Sequence, residues 1–346
     1  MGLIGLNVGG SVFAVKSQYK GLKVIGRGSY GVVASCTDAT SSKRLAIKRI
    51  KPMSAHCIDS KHVLREIRCM RLLGAHTNIV SIHDLFCDVH HDELYIVMDL
   101  MDSDLHRIIQ SPQTLTDAHN RYFMYQLVRG VIYIHAQGII HRDLKPGNLL
   151  VTRNCELRIT DFGLARQQSA ALKGGKDDSF DICPMTQHVV TRWYRPPELM
   201  LTPDGRYTNA VDMWSVGCIL AELLGRSPLF PGKNFVHQLQ LIFDVIGSPR
   251  AEEIERVKNK QARKFLDSIQ GKLKVSFGNI FGSAGLPANT VLEGLLLFNA
   301  SKRATAVGLL DYSYFRNLSY AKIPIADPLA PPCDFSFERE SLSLTE

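Results

Sequence analysis

Between His141 and Glu198 the chain spaces out polar residues suited to one kind of chemistry. His141-Arg142-Asp143-Leu144-Lys145-Pro146-Gly147-Asn148 comes first, Asp161-Phe162-Gly163 follows, and Pro196-Pro197-Glu198 closes the stretch. Asp143 can accept a hydrogen bond, and then the proton, from a nucleophilic hydroxyl. Lys145 points to the same side if the segment is extended, because side chains alternate there, and it can neutralise charge on a transferring phosphoryl group. Asn148 and Asp161 offer a neutral and an anionic oxygen, the hard ligands that Mg²⁺ takes. Gly163 permits backbone angles that other residues resist. The combination points to phosphoryl transfer, in which catalysis is mostly positioning and charge stabilisation. A polar loop beside a hairpin of Leu149–Val151 and Leu157–Ile159 would account for one of these motifs, not for all of them at this spacing.

Such residues need a frame that holds a nucleotide. Gly26-Arg27-Gly28-Ser29-Tyr30-Gly31-Val32-Val33 follows an alternating stretch through Leu22 and Val24. Glycines there let backbone amides approach phosphate oxygens. A dinucleotide-binding fold carries a similar motif, but its loop leads into a helix, whereas Val32, Val33 and Ala34 continue as a strand. A hairpin lying over the nucleotide is therefore expected. Lys48 ends the apolar run Leu45-Ala46-Ile47, where a cation is costly unless paired. Its expected partner is Glu66, in a helix over Ser60–Leu73 whose Val63, Ile67, Met70 and Leu73 face inward. Strands are expected at Val80–Phe86 and Glu93–Asp99. His90-His91 between them reads as a solvated turn, since no third metal ligand is apparent. Asp99-Leu100-Met101 connects to a second unit. Asp104 starts a short helix there, and a longer one runs from Asp117 to Gln137 with Phe123, Leu127, Val131 and Ile134 as its core stripe and Gly138 as its cap.

Composition sets the outer limits. With 346 residues, 45% hydrophobic and 21% charged, the chain can bury a sizeable core in two modest lobes. The net charge of +8 comes without a tract of five basic residues or an aromatic-interleaved basic stripe, so a solvated basic surface is favoured over direct nucleic-acid binding. The eight cysteines form no C-x-x-C pair, which argues against a zinc ribbon. Reduced thiols in a cytosolic or nuclear setting are expected. Met1-Gly2-Leu3-Ile4-Gly5-Leu6 has Leu where a myristoylation signal has Ser or Thr. No apolar run is long enough to span a bilayer.

The chain over roughly residues 19–316 resembles a eukaryotic protein kinase, and within that group a mitogen-activated protein (MAP) kinase. The resemblance rests on the motifs above together with Leu64-Arg65-Glu66-Ile67-Arg68, Tyr95-Ile96-Val97-Met98-Asp99-Leu100-Met101, Val190-Thr191-Arg192-Trp193-Tyr194-Arg195, Phe230-Pro231-Gly232-Lys233 and the block Asp212 to Glu222. It implies an α+β, two-lobed fold: a small β-rich N-lobe with one main helix (19–101, hinge included), then a large mainly helical C-lobe (102–316) with an activation segment over 161–198. Residues 1–18 and 317–346 would be extensions. The implied reaction is proline-directed transfer of the ATP γ-phosphoryl to Ser or Thr of protein substrates by a monomer, with Mg²⁺ and an upstream kinase. Asp143, Lys145, Lys48 and Glu66 would be catalytic. Ile25, Gly26, Gly28, Gly31, Val33, Ala46, Lys48, Met98, Asp99, Met101 and Asp104 would contact the nucleotide, and Asn148 and Asp161 the metal. Phe162, His141 and Met70 would stack in an internal column, Asp212 would brace the catalytic loop, and Glu198 would pair with Arg303. A cyclin-dependent-like kinase is the nearest alternative, although such kinases usually have an apolar residue where Arg192 stands. A catalytically silent scaffold is the alternative from another class.

Two departures from the family stand out. Where MAP kinases carry Thr-x-Tyr, this chain has Thr186-Gln187-His188, similar to the Thr-x-His of some protozoan members. His188 has no hydroxyl to esterify. Phosphate on Thr186 alone, gathered by Arg65, Arg142 and Arg166, is the expected switch, while Arg192 and Arg195 match a phosphotyrosine pocket whose phosphate is missing. The loop Gln167–Pro184 is expected to be mobile. Secondly, Asn317–Ala326 lacks the acidic patch that docks basic peptides in this family, and the tail beyond Asp327 is expected to be an extended segment packed back on the protein.

Overall fold

The computed structural model describes residues 3–28, 31–51, 57–168, 192–201, 208–316, 318 and 335. Thr186, Gln187 and His188, the loop tip at Ser29-Tyr30, almost all of the expected mobile loop and almost all of the tail lie outside them.

The N-terminal half is a sheet with alternate residues committed to two different cores. Its strands are β3 (Tyr19–Gly28), β4 (Gly31–Asp38), β5 (Arg44–Ile50), β6 (Ile82–Asp88) and β7 (Glu93–Asp99), antiparallel in the order β3-β4-β5-β7-β6. On β7, Leu94, Ile96 and Met98 face the main core, while Tyr95 and Val97 face a second cluster on the other side. On β5, Ala46 and Ile50 take the first side and Leu45 and Ile47 the second. The period of two explains why these inner strands are apolar throughout.

The second side is covered by a hairpin of β1 (Leu3–Val8) and β2 (Ser11–Lys16). Residues 1–18, expected only as an extension, thus include a paired hairpin. Gly9 and Gly10 both have left-handed φ (58° and 81°), the requirement of a two-residue turn matched to strand twist. Phe13 and Val15 are fully buried under it, and Tyr95 accepts the Ala14 N–H at 2.8 Å. Lys16 and Tyr19 both hold the Asp84 carboxylate at 2.7 Å.

The first side is covered by helix α1 (Cys57–Leu73), which starts three residues before the expected Ser60 and so also takes in Asp59. Beyond the hinge come β8 (Ser103–Asp104), α2 (Leu105–Gln110), α3 (Asp117–Ala136), β9 (Ile139–Ile140), β10 (Leu149–Val151), β11 (Leu157–Ile159) and β12 (Arg166–Gln167). Then follow α4 (Pro197–Leu201), α5 (Ala210–Gly225) and α6 (Phe235–Ile246), with shorter helices to Phe315. This is the expected small β-rich lobe with one main helix, followed by a mainly helical lobe. The sequence of α5 is apolar nearly all round, and every residue from Val211 to Leu223 is buried, as befits a helix at the centre of a lobe. The lobes are stitched together where Val80 donates to the Ile159 carbonyl (3.0 Å) and Ile159 to that of Asn78 (2.8 Å). That pairing takes Val80 out of β6, which starts at Ile82 rather than at the expected Val80.

Candidate active site

Lys48 shares the inner face of β5 with Ala46 and Ile50, which turns it towards α1. Its Nζ lies 2.7 and 2.8 Å from the two oxygens of Glu66. Glu66 is buried, so the pair meets the requirement that a buried charge be matched. In register, Val33 stands opposite Lys48 and Ala46 opposite Met98. The small Ala46 and the buried Met98 form a flat apolar wall at the hinge, and Ile25, at an irregularity in the β3–β4 pairing, is 44% exposed.

The three glycines of the hairpin differ. A Cβ on Gly26 would meet nothing within 4 Å, leaving room above the strand. Gly28 ends β3 opposite Gly31. A Cβ on Gly31 would lie 1.7 Å from the Arg49 carbonyl oxygen. Gly31 is thus demanded by the close approach of β5, a packing reason in its own right.

Met101 follows β7 at the hinge, and the side chains of its neighbours Asp99 and Asp104 are already occupied. Asp99 binds Arg158, the Ser81 N–H (2.9 Å) and His83 (2.8 Å), an anchoring role with no local sequence signal. Asp104 caps α2 by accepting the Arg107 N–H at 2.9 Å.

The catalytic loop is built from α5 outwards. Asp212 is fully buried. It accepts from the backbone of His141 (2.9 Å) and Arg142 (2.8 Å), and its Oδ2 lies 2.9 Å from His135 Nε2. Burial alone would raise its pKa, but the hydrogen bond and charge of His135, the charge of His141 and the Arg142 N–H outweigh this and hold it below the ordinary carboxylate range. His141 accepts the Asp143 N–H at Nδ1 (3.3 Å) and faces the Thr160 carbonyl with Nε2 (3.1 Å), which fixes its tautomer. Its ring lies 4.8 Å from that of Phe162, and both, like Met70, are fully buried.

On this base the expected constellation assembles. Lys145 Nζ is 2.6 Å from Asp143 Oδ2. The Asn148 amide donates to the same oxygen (3.0 Å) and to the Asp143 carbonyl (2.9 Å). With its nitrogen so engaged, Asn148 keeps its oxygen for a cation, and Asp161 supplies a carboxylate. A neutral and an anionic oxygen suit a hard divalent ion that retains water and phosphate oxygens in its shell. No cluster of three His, Cys, Asp or Glu ligands occurs among the described residues. His91 pairs with Asp88 (2.7 Å), consistent with a turn. Gly163 is not among the residues with positive φ, whereas Asp161 (67°) and Arg142 (68°) are. The unusual backbone sits on the functional residues themselves, where such strain is expected.

The three arginines expected around Thr186 converge on the start of the activation segment. Arg65, 2% exposed, donates to the Gly163 carbonyl. Arg142 donates to that of Leu164 (3.3 Å), and Arg166 lies on β12, paired with Ile140 of β9. At the segment's other end Arg303 donates two hydrogen bonds to the Glu198 carboxylate (2.6 and 2.7 Å), as expected. Tyr194 donates to the buried Glu222 at 2.5 Å, a pair the sequence reading missed. Burial raises the pKa of Glu222, against the pull of that hydrogen bond.

Comparison with known proteins agrees with this geometry. The protein kinase domain profile matches residues 19–315. The chain is 45% identical over 312 residues to "Extracellular signal-regulated kinase 1" of Dictyostelium discoideum, covering 89% of this chain and 57% of that protein. It is 43% identical to "Mitogen-activated protein kinase 16" of Oryza sativa subsp. japonica (96% and 66%) and 44% identical to "Mitogen-activated protein kinase 2" of Pneumocystis carinii (96% and 93%). The chain thus spans less than two thirds of the first two relatives and nearly all of the third.

Proposed function

Because the chain belongs to the protein kinase family, and within it to the mitogen-activated protein kinases, we propose that it transfers the γ-phosphoryl of ATP to Ser or Thr residues followed by Pro in protein substrates. The observation that carries this is the set gathered on Asp143, with Lys145 at 2.6 Å and Asn148 at 3.0 Å, together with the Lys48–Glu66 pair of the other lobe.

Each residue has a part in that reaction. Glu66 holds Lys48 where it can bind nucleotide phosphates. Asp143 orients the acceptor hydroxyl and takes its proton, and Lys145 balances the charge that gathers on the transferred group. Asn148 and Asp161 would hold Mg²⁺, which when bound neutralises phosphate charge. Both lobes contribute to the cleft, so their separation sets access to it.

Thr186 phosphorylation, by an upstream kinase or by the enzyme itself, is the proposed switch, supported by the convergence of Arg65, Arg142 and Arg166. Action in the cytosol or nucleus, as a monomer, is proposed with it; the free cysteines among the described residues fit that setting, and no helix among them is long and apolar enough to cross a membrane. The cyclin-dependent-like alternative is disfavoured by Arg192 and by the names of the relatives. The silent scaffold is disfavoured because Lys48, Asp143 and Asp161 are all present.

The test is phosphate transfer from Mg-ATP to a Ser-Pro peptide, with peptide mapping of the enzyme, beside Asp143→Asn. Loss of at least about a hundredfold in Asp143→Asn is expected. Equal transfer by both proteins would overturn the assignment. Full activity in Thr186→Ala would remove the switch but not the kinase.

A further inference from the structure

The short turn Arg192–Tyr194 and the catalytic loop are both mounted on α5. Asp212 carries the loop, while Ser215 donates to the Tyr194 carbonyl (2.9 Å) and Glu222 accepts from Tyr194. One rigid helix therefore fixes the position of Arg195 relative to Asp143. Arg192 is pinned separately: its Nη1 donates to the Lys233 carbonyl (2.8 Å), and its guanidinium lies 5.5 Å from the centre of the Phe235 ring. Trp193 adds a bond to the Gly232 carbonyl (3.2 Å).

Arg195 is different. Its backbone N–H bonds to the Arg192 carbonyl (3.1 Å), but its guanidinium has no hydrogen-bond partner among the described residues. It is nevertheless partly buried. Burial pulls its pKa below the ordinary arginine value, the Asp143 carboxylate opposes that pull, and Arg192 adds to it. A guanidinium held in this way, with five N–H donors and a second cation beside it, is arranged to receive an oxyanion in bidentate fashion. The chain cannot supply one from position 188, because a histidine stands there.

We propose that Arg192 and Arg195 form a substrate-anion site, in which a carboxylate or phosphate carried by the substrate near its acceptor hydroxyl is bound beside Asp143. The inference rests on the kinase reading and adds a substrate class to it: acidic or already phosphorylated Ser/Thr segments. Arg192 and Arg195 are specificity-determining residues. They set which peptide reaches Asp143 and take no part in the transfer.

The test separates binding from transfer. Three fluorescent peptides share one sequence with Ala at the acceptor position and carry Gln, Glu or phosphoserine nearby, the charged residue being moved stepwise along the peptide. Fluorescence anisotropy should give about tenfold tighter binding for the best-placed charged peptide than for its Gln counterpart, as charge-assisted hydrogen bonds provide, and the advantage should shrink with added salt. Comparison of Glu with phosphoserine identifies the source of the oxyanion. Arg195→Met and, in case that change unfolds the protein, Arg192→Gln should bring the charged and neutral affinities within about twofold of each other. Equal affinity for all three peptides at every placement in the parent protein would overturn the proposal, as would an advantage that survives in Arg192→Gln. The same peptides with Ser restored test the kinase reading independently, by whether phosphate is transferred at all.

Discussion

The Asp212 carboxylate accepts the backbone N–H of Arg142 at 2.8 Å and holds that residue in the left-handed region at φ 68°. A non-glycine residue there stores on the order of 1 kcal/mol or more, so the loop keeps its shape only while something outside it grips the backbone. The grip comes from a central helix buried along almost its whole length, and Arg142 is followed at once by Asp143. Position of the base is thus inherited from the core of the C-lobe rather than from the loop's own sequence.

Replacing that carboxylate should therefore damage activity and stability together. In Asp212→Asn one acceptor oxygen becomes an N–H that faces another donor in a buried site. We expect a loss of about 3 kcal/mol, the cost of breaking a buried charged network, and a fall in kcat of at least a hundredfold. Urea unfolding and steady-state kinetics check this. A variant of undiminished stability and activity would show that the brace is dispensable.

The same group sets a pH dependence. The pKa of Asp212 is depressed in the folded protein, so its contribution is fully present above the unfolded value of about 3.9 and is lost as pH falls through the folded value. Asp84 acts in the same direction: burial raises its pKa, but Lys16 and Tyr19 outweigh that. Stability should therefore decline as pH drops below about 4, and the decline should be shallower in Asp212→Asn. Urea midpoints between pH 7 and 3 provide the measurement. A curve for the variant parallel to that of the parent would count against the assignment.

The Lys48–Glu66 pair allows its structural and chemical roles to be separated. Lys48→Met should abolish transfer and also leave Glu66 buried with its main cation gone, at a cost of about 3 kcal/mol. Adding Glu66→Leu should restore most of that stability without restoring activity. Recovery of activity in the double variant would mean that Lys48 serves the fold alone.

Much of this arrangement was legible in the sequence, and what was not has identifiable causes. The hairpin of β10 and β11 and the end of α3 near Gly138 follow local rules of alternation and capping, and they lie where those rules put them. Lys48 and Glu66 could be paired because each is an unlikely charge on an apolar face. The β1–β2 hairpin was missed although Gly9-Gly10 is a turn signal, because its buried residues Phe13 and Val15 gain their meaning only from Tyr95, far along the chain. The positive φ of Asp161, the close approach at Gly31 and the withdrawal of Val80 from β6 all depend on non-local neighbours, which periodicity does not report.

That missed hairpin should matter for stability. Phe13 is fully buried, with its ring 6.2 Å from that of Tyr95 and 5.1 Å from the Arg49 guanidinium. Phe13→Ala should cost about 3 kcal/mol through lost contacts and the cavity left behind and should lower the melting temperature by several degrees, while the ATP KM at temperatures well below melting stays within twofold. An unchanged melting temperature would mean that the hairpin is a loose appendage.

The glycines of β3 and β4 offer a final contrast within one motif. A methyl group on Gly31 has no room, since the Arg49 carbonyl oxygen would lie 1.7 Å away. Gly31→Ala should therefore force β4 and β5 apart and cost about 3 kcal/mol, at the upper end for overpacking. A methyl group on Gly26 has open space around it and needs no left-handed backbone, so Gly26→Ala should leave stability within about 0.5 kcal/mol. If the space above Gly26 is where nucleotide phosphates approach the backbone, the same methyl group should raise the ATP KM about tenfold with little change in melting temperature. Thermal melts and ATP titrations of the two variants decide the matter. An unchanged KM in Gly26→Ala would place the phosphates elsewhere, and a stable Gly31→Ala would mean that the two strands can separate without penalty.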